Sequence, residues 1–175
     1  VCDVDDNIYV VDSRNHRVQK FTKDGKFLST WGTLGDNDGE FNTPWGITID
    51  ATGDVYVADW RNHRVQKFTS DGDFLTQFGS AAPGVGILNH PPPDPTNVQT
   101  FPHLYRPDSG NGALNHPSSV GVDWDGDVYV VDWANDRIQI YTAKGDYITA
   151  LTGDAQTLSK WGTEQVEANP DVKKA

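Results

Sequence analysis

One fifteen-residue string is written three times in this chain, and no other feature limits the possible folds as strongly. NIYVVDSRNHRVQKF (7–21) returns almost letter for letter as DVYVADWRNHRVQKF (54–68) and, loosened, as DVYVVDWANDRIQIY (127–141). The copies begin 47 and then 73 residues apart, which is one period of 47 followed by the same period with 26 residues added. A fixed period of about 40 to 50 residues made of short β-type runs predicts units that stack, because a single unit cannot cover its own apolar faces.

Within one period four strands can be read. WGITID (45–50) places Ile47 and Ile49 on one face, and DVYVAD (54–59), RVQKF (64–68) and FLTQFG (74–79) follow. The turns ATGD (51–54) and SDGD (70–73) each put a glycine where a tight turn needs positive φ. In the second strand Val55 and Val57 point one way and Tyr56 and Ala58 the other, so both faces are apolar, as suits a sheet held between two others. The expected fold is all-β: a propeller of four-stranded antiparallel blades. Blade one spans 1–32, blade two 44–79 and blade three 117–153, with an insertion at 80–116 and a tail at 154–175. In blade one, Val1, Cys2 and Asp3 align with Thr48, Ile49 and Asp50, the end of a first strand.

The pattern F-x-x-P-x-G-I-x-I-D-x-x-G-D-V-Y-V-A-D-x-x-N-H-R-V-Q-K-F at 41–68 resembles the NHL repeat of bacterial type, and the likeness covers 1–79 and 114–153. It differs from the WD repeat, since the dipeptide here is Asp59-Trp60 or Asp132-Trp133, the reverse order. The resemblance implies a six-bladed ring, of which about three blades are present. With no methionine and an opening at VCDVDD, the chain reads as a fragment. Blades outside it, or a second copy, are then needed to close the ring.

Composition narrows the partners. Twenty-five acidic against 14 basic residues give a net charge of −11, and the basic residues are scattered, so phosphate backbones and anionic lipid surfaces are repelled. Nucleic acid is therefore not expected as a partner. No apolar run reaches the roughly 18 to 20 residues of a membrane span. A soluble, extracellular or cell-surface setting is favoured, and the single cysteine, Cys2, adds nothing to that choice.

Each copy ends its second strand with Asp and starts its third with Arg: Asp12 with Arg17, Asp59 with Arg64, Asp132 with Arg137. Across a hairpin these side chains meet, and a pair that recurs in every blade is expected to hold loops in shape. His16 and His63 fall in the same loop, but Asp136 takes that place in the third copy, so a structural or surface role is expected for them. The acidic stretches GDNDGEF (35–41) and DWDGDVY (123–129) have the look of calcium loops without the twelve-residue spacing, and are read as solvated turns. No catalytic residue, metal ligand or cofactor is assigned; calcium or zinc is kept as the alternative.

LNHP occurs at 88–91 and again at 114–117, and between them the chain is rich in proline and glycine, which cannot form an inner strand. Meander geometry puts this insertion at the same end of the ring as the Arg-Asn-His loops. Candidate ligand contacts there are His90, Phe101, His103, Tyr105, Arg106 and His116. In the tail, Leu158, Trp161 and Val166 are spaced for a short helix. Three functional readings follow. The first is a non-catalytic scaffold presenting a rigid face to a protein, peptide or carbohydrate. The second is a metal-dependent lyase or lactonase-like enzyme, which the resemblance admits through residues in blades not present. The third is a structural subunit that assembles through open blade edges.

Overall fold

A computed structural model describes residues 1–79 and 110–152 as three antiparallel sheets. The first holds β1 (Ile8–Asp12), β2 (Arg17–Phe21) and β3 (Phe27–Trp31). The second is the meander β4 (Pro44–Ile49), β5 (Val55–Asp59), β6 (Arg64–Phe68) and β7 (Phe74–Phe78). The third repeats it with β8 (Pro117–Val122), β9 (Val128–Asp132), β10 (Arg137–Tyr141) and β11 (Tyr147–Thr152). Strand ends differ from the sequence reading by a residue at most for β4, β5 and β7. Blade one retains a stub of its first strand: Cys2 bridges Ile8, and Tyr9 N–H donates to the Val1 carbonyl at 2.9 Å.

The alternation in β5 sorts its side chains onto two cores. Val55 and Val57 join Phe68, Tyr9, Val18 and Phe41 between blades one and two. Tyr56 and Ala58 join Val65, Leu114, Val128, Val130 and Tyr141 between blades two and three. Every residue of β5 is buried, because a sheet covered on both sides has no solvent face. Burial of that apolar surface at about 25 cal/mol per Å² is the main force holding blade to blade.

Close approach of the inner strands depends on one glycine. A Cβ on Gly46 would lie 2.7 Å from the Ser119 Cα of the neighbouring inner strand, so any side chain there would push β4 and β8 apart. The outer turns use glycine for another reason: Gly72 sits at φ 95°, with the Trp31 ring of the preceding blade against it. Gly53, in the other predicted turn, also has positive φ, at 91°.

The sequence assigned 80–116 to the insertion, but residues 110–116 belong to the propeller body. Leu114 takes the place of Phe41 in the next inter-blade core, and its N–H donates to the Gly79 carbonyl at 2.8 Å as Phe41 N–H does to Thr33. The physical reason is that every blade needs a linker segment to seal the gap before its first strand. The 26 added residues precede that segment rather than replace it. The helix expected around Leu158, Trp161 and Val166 lies outside the described residues.

Phe68 joins both inter-blade elements of the first core, with ring centroids 6.0 Å from Trp31, 5.5 Å from Phe41 and 6.0 Å from Phe74. Phe68→Ala is expected to cost about 3–5 kcal/mol in denaturant unfolding. A loss below about 1 kcal/mol would show that the blades do not pack as described.

Candidate functional site

The loop between the second and third strands of each blade is built around a carboxylate. Asp59 is fully buried (0% exposed), and each of its oxygens is bonded. Oδ1 accepts the Asn42 backbone N–H at 2.7 Å, and Oδ2 accepts Asn62 Nδ2 at 2.9 Å, Arg64 Nε at 2.9 Å and Gln66 Nε2 at 3.2 Å. Asp132 repeats the set with Asn115 N–H, Asn135 Nδ2, Arg137 Nε and Gln139 Nε2. Asp12 holds Asn15 and Arg17 in the same way, Arg17 Nε at 3.0 Å, in a more exposed setting.

The guanidinium and the glutamine reach beyond their own blade. Arg64 donates to the carbonyls of Asp36, Asn37 and Glu40, and Gln66 both donates to the Glu40 carbonyl and accepts from Gly39 N–H. Arg137 and Gln139 treat Gly110, Gly112 and Ala113 alike. GDNDGEF therefore serves as a linker whose Asp36, Asn37 and Glu40 carbonyls accept from Arg64 and Gln66, while that of Gly35 accepts from Asn62. A planar guanidinium with five fixed donors suits this clamping.

The histidines close the arrangement. His16, His63 and Asp136 each end a short 3-10 turn in the left-handed region, at φ 55°, 54° and 52°. His and Asp tolerate that conformation better than β-branched residues, which explains why the two types exchange there. The Nδ1 of His16 accepts the Thr43 N–H at 2.9 Å, and that of His63 accepts the His116 N–H at 3.1 Å. Each ring thus ties its loop to the linker of the next blade, a role that one repeat examined alone does not reveal.

Of the ligand contacts expected from sequence, His116 is described and sits beside His63 and Trp60, with ring centroids 4.5 and 4.7 Å away. His90, Phe101, His103, Tyr105 and Arg106 lie outside the described residues. Three residues escaped the sequence reading: Gln66, Gln139 and the exposed Trp45. The glutamines carried a signal, since Gln19, Gln66 and Gln139 recur at the middle position of the third strand in all three copies.

The opposite ends of the strands carry a second carboxylate turn. Asp50 Oδ1 accepts the N–H groups of Thr52 and Asp54, and Oδ2 accepts the Tyr56 hydroxyl at 3.1 Å, with Lys67 Nζ 3.4 Å away. Asp123 forms the same turn in blade three. In DWDGDVY the carboxylate is thus engaged by backbone N–H groups. Among the described residues, no helix is long and apolar enough to cross a membrane.

The NHL repeat model matches at 1–21, 41–68 and 114–141, the three segments that contain these loops. The chain carries NHL repeats, arranged as blades of a β-propeller. This NHL chain is similar in fold to streptogramin B lyase, at 15% identity and TM-score 0.59, covering 89% of its own length and 40% of that protein. It is likewise similar to the selenomethionine-substituted virginiamycin B lyase from Staphylococcus aureus (18%, TM-score 0.57, 89% and 41%). A third likeness is to the dihydro-heme d1 dehydrogenase NirN in complex with DHE (13%, TM-score 0.53, 91% and 27%). The NHL chain spans about two fifths of the length of the lyases it matches. None of the curated proteins compared matches it.

Two experiments test the site. Burial pushes the Asp59 carboxyl above its usual range, against the pull of Asn42 N–H, Asn62 and Arg64, so the charge is a cost that its donors offset. Arg64→Met removes one donor group and is expected to cost about 3–5 kcal/mol in urea unfolding, part of which Asp59→Asn restores in the double variant. Asp50 behaves oppositely. Burial opposes its charge, but Thr52, Asp54 and Lys67 outweigh it and hold its carboxyl below the usual range. Its stabilisation is present above about pH 4 and fades as pH falls through its lowered folded value. Asp50→Asn is expected to flatten the acid limb of a Tm-against-pH curve, and an unchanged limb would contradict the assignment.

Proposed function

We propose that this NHL propeller is a non-catalytic binding scaffold that presents a rigid face to a protein, peptide or carbohydrate partner. The carrying observation is an exposed aromatic surface at the end where the Asp-Asn-Arg loops and linkers meet. Trp45 is 58% exposed, with its ring 5.5 Å from Trp60, and Trp133 is 53% exposed on the next blade. Arg61 lies over the Trp60 ring at 5.5 Å. Trp45 is not shared between blades, since Ser118 stands in its place in blade three, whereas Trp60 and Trp133 share one position, where blade one has Ser13. The recurring Asp, Arg, Gln and His side chains are occupied in holding loops and linkers. Trp45 and Trp133, by contrast, leave more than half of their surface exposed. Large, stiff aromatic side chains with a polar tip favour partner contact at low entropic cost.

His90, Phe101, His103, Tyr105, Arg106 and His116 belong to the same proposal, since the insertion departs after β7, at this end of blade two. A net charge of −11 sets nucleic acid aside. A metal-dependent lyase or lactonase-like activity is the second reading, favoured by the likeness to streptogramin B lyase. Assembly through open edges, with further blades or a second copy completing the ring, is compatible with either reading.

The binding reading is tested by probing the chain against arrays of oligosaccharides and of short peptides, with Trp45→Ala and Trp60→Ala compared after their far-UV spectra and melting are matched. The expected outcome is a defined set of bound probes that weakens by about 1–3 kcal/mol in either variant. Probes retained equally by both variants would contradict the face. Stoichiometric zinc or calcium held by the purified chain would favour the enzymatic reading instead.

A further inference from the structure

The three repeats allow blade three to be compared with its siblings residue by residue, and at the carboxylate turn one group is missing. In blade two, Lys67 Nζ lies 2.8 Å from an Asp54 oxygen and 3.4 Å from Asp50, and 4.9 Å from the centroid of the Tyr56 ring. In blade one, Lys20 Nζ lies 4.0 Å from Asp3 and 5.0 Å from the Tyr9 ring centroid. The strand register explains the repetition, because Lys20 is paired with Tyr9 and Lys67 with Tyr56. In blade three, Tyr129 is paired with Ile140.

The rest of the cradle is in place. Asp123 Oδ1 accepts the N–H groups of Asp125 and Asp127 at 3.0 and 2.9 Å, and Oδ2 accepts the Tyr129 hydroxyl at 3.0 Å, as Asp50 does with Tyr56. Among the described residues, no Lys or Arg is within ion-pair distance of Asp123, Asp125 or Asp127. We propose that Asp123, Asp127 and the Tyr129 ring bind a primary ammonium group, supplied by a lysine side chain of a partner segment.

Three observations favour this occupant. First, two sibling blades place a lysine ammonium beside the equivalent Asp and Tyr in the same register, blade two with Asp54 where blade three has Asp127 and blade one with Asn7 there, so the arrangement is one that this fold uses for that ion. Second, among the described residues the carboxylates of this turn have no counterion. Burial, with Asp123 and Asp125 beside it, raises the Asp127 carboxyl, and burial followed by the bond to Asp123 pushes the Tyr129 phenol up to about 12. A cation placed there relieves both. Third, Asp123 is reached from a cleft of about 370 Å³ that it lines with Asp3, Asp50 and the next residue along the turn, Trp124, which is 96% exposed. An indole beside carboxylates receives the alkyl stem and charged head of a lysine. Inward N–H and O–H donors already occupy part of Asp123, which leaves fewer oxygen positions than the six to eight a calcium ion takes. The site is at the opposite end of the strands from Trp45 and Trp60, so it stands or falls independently of the aromatic face.

The probe is the peptide N-acetyl-Gly-Lys-Gly-amide, titrated into the isotopically labelled chain beside its norleucine analogue at equal ionic strength. The lysine peptide is expected at neutral pH to move the amide signals of Asp123, Asp125 and Asp127, with the norleucine peptide at least about tenfold weaker. Ile140→Lys fills the cradle from within, as in the sibling blades. It should lower the Tyr129 midpoint without peptide and abolish the peptide response. Asp123→Asn, which retains an oxygen for the turn, should weaken the peptide about tenfold. The proposal is overturned if the lysine peptide gives no response or shifts Asp3 and Asp50 equally. It is also overturned if the norleucine peptide acts alike, or if folded Ile140→Lys binds the peptide as well as the parent chain does.

Discussion

A buried carboxylate that accepts a backbone N–H from outside its own sheet is the constraint on which the rest of the structure depends. Asp59 bonds to Asn42 N–H, and Asp132 to Asn115 N–H, each from the linker that leads into the same blade. Apolar burial alone would press the sheets together without fixing how the linkers run between them. The carboxylate sets the linker, the linker carries Phe41 or Leu114 into the core, and the inner strand begins two residues after the bonded asparagine. An isolated buried charge is expensive, so the Arg, Asn and Gln that surround it are required for the arrangement to exist at all.

The same repetition accounts for both function proposals. Where all three copies agree, the side chains are used internally, and where a copy departs from its siblings, a surface becomes available. Trp45 stands where blade three has Ser118, Trp60 and Trp133 where blade one has Ser13, and at the other end of the strands Ile140 replaces a lysine. A repeat protein provides its own control in this way, because the sibling blades show what the position does when it is purely architectural.

The strands, their facing and the Asp–Arg pairing could be read from the sequence because each depends on residues within one period: alternation, turn glycines and a hairpin of fixed length. The part played by His16 and His63 could not, because their partners, Thr43 N–H and His116 N–H, come from the next unit and their left-handed backbone is invisible in letters. The start of blade three was placed at Pro117 by matching strands. The structure shows the blade's sealing segment beginning earlier, at 110–116, where Gly112-Ala113-Leu114-Asn115 answers Gly39-Glu40-Phe41-Asn42 and presents the same backbone groups to glutamine. The recurring Gly-x-Phe/Leu-Asn-x-Pro letters do not disclose this role, because it is their backbone that the glutamine contacts.

The central claim is that Asn42 and Asn115, although they stand in linkers between strands, are held as firmly as residues within sheets. Residue-resolved amide hydrogen exchange measures this directly. The account predicts that the N–H groups of Asn42 and Asn115 exchange as slowly as those of β5 and β9, because each opens only when its blade does. Exchange of either amide at the rate of a solvated loop, while β5 and β9 remain protected, would contradict it.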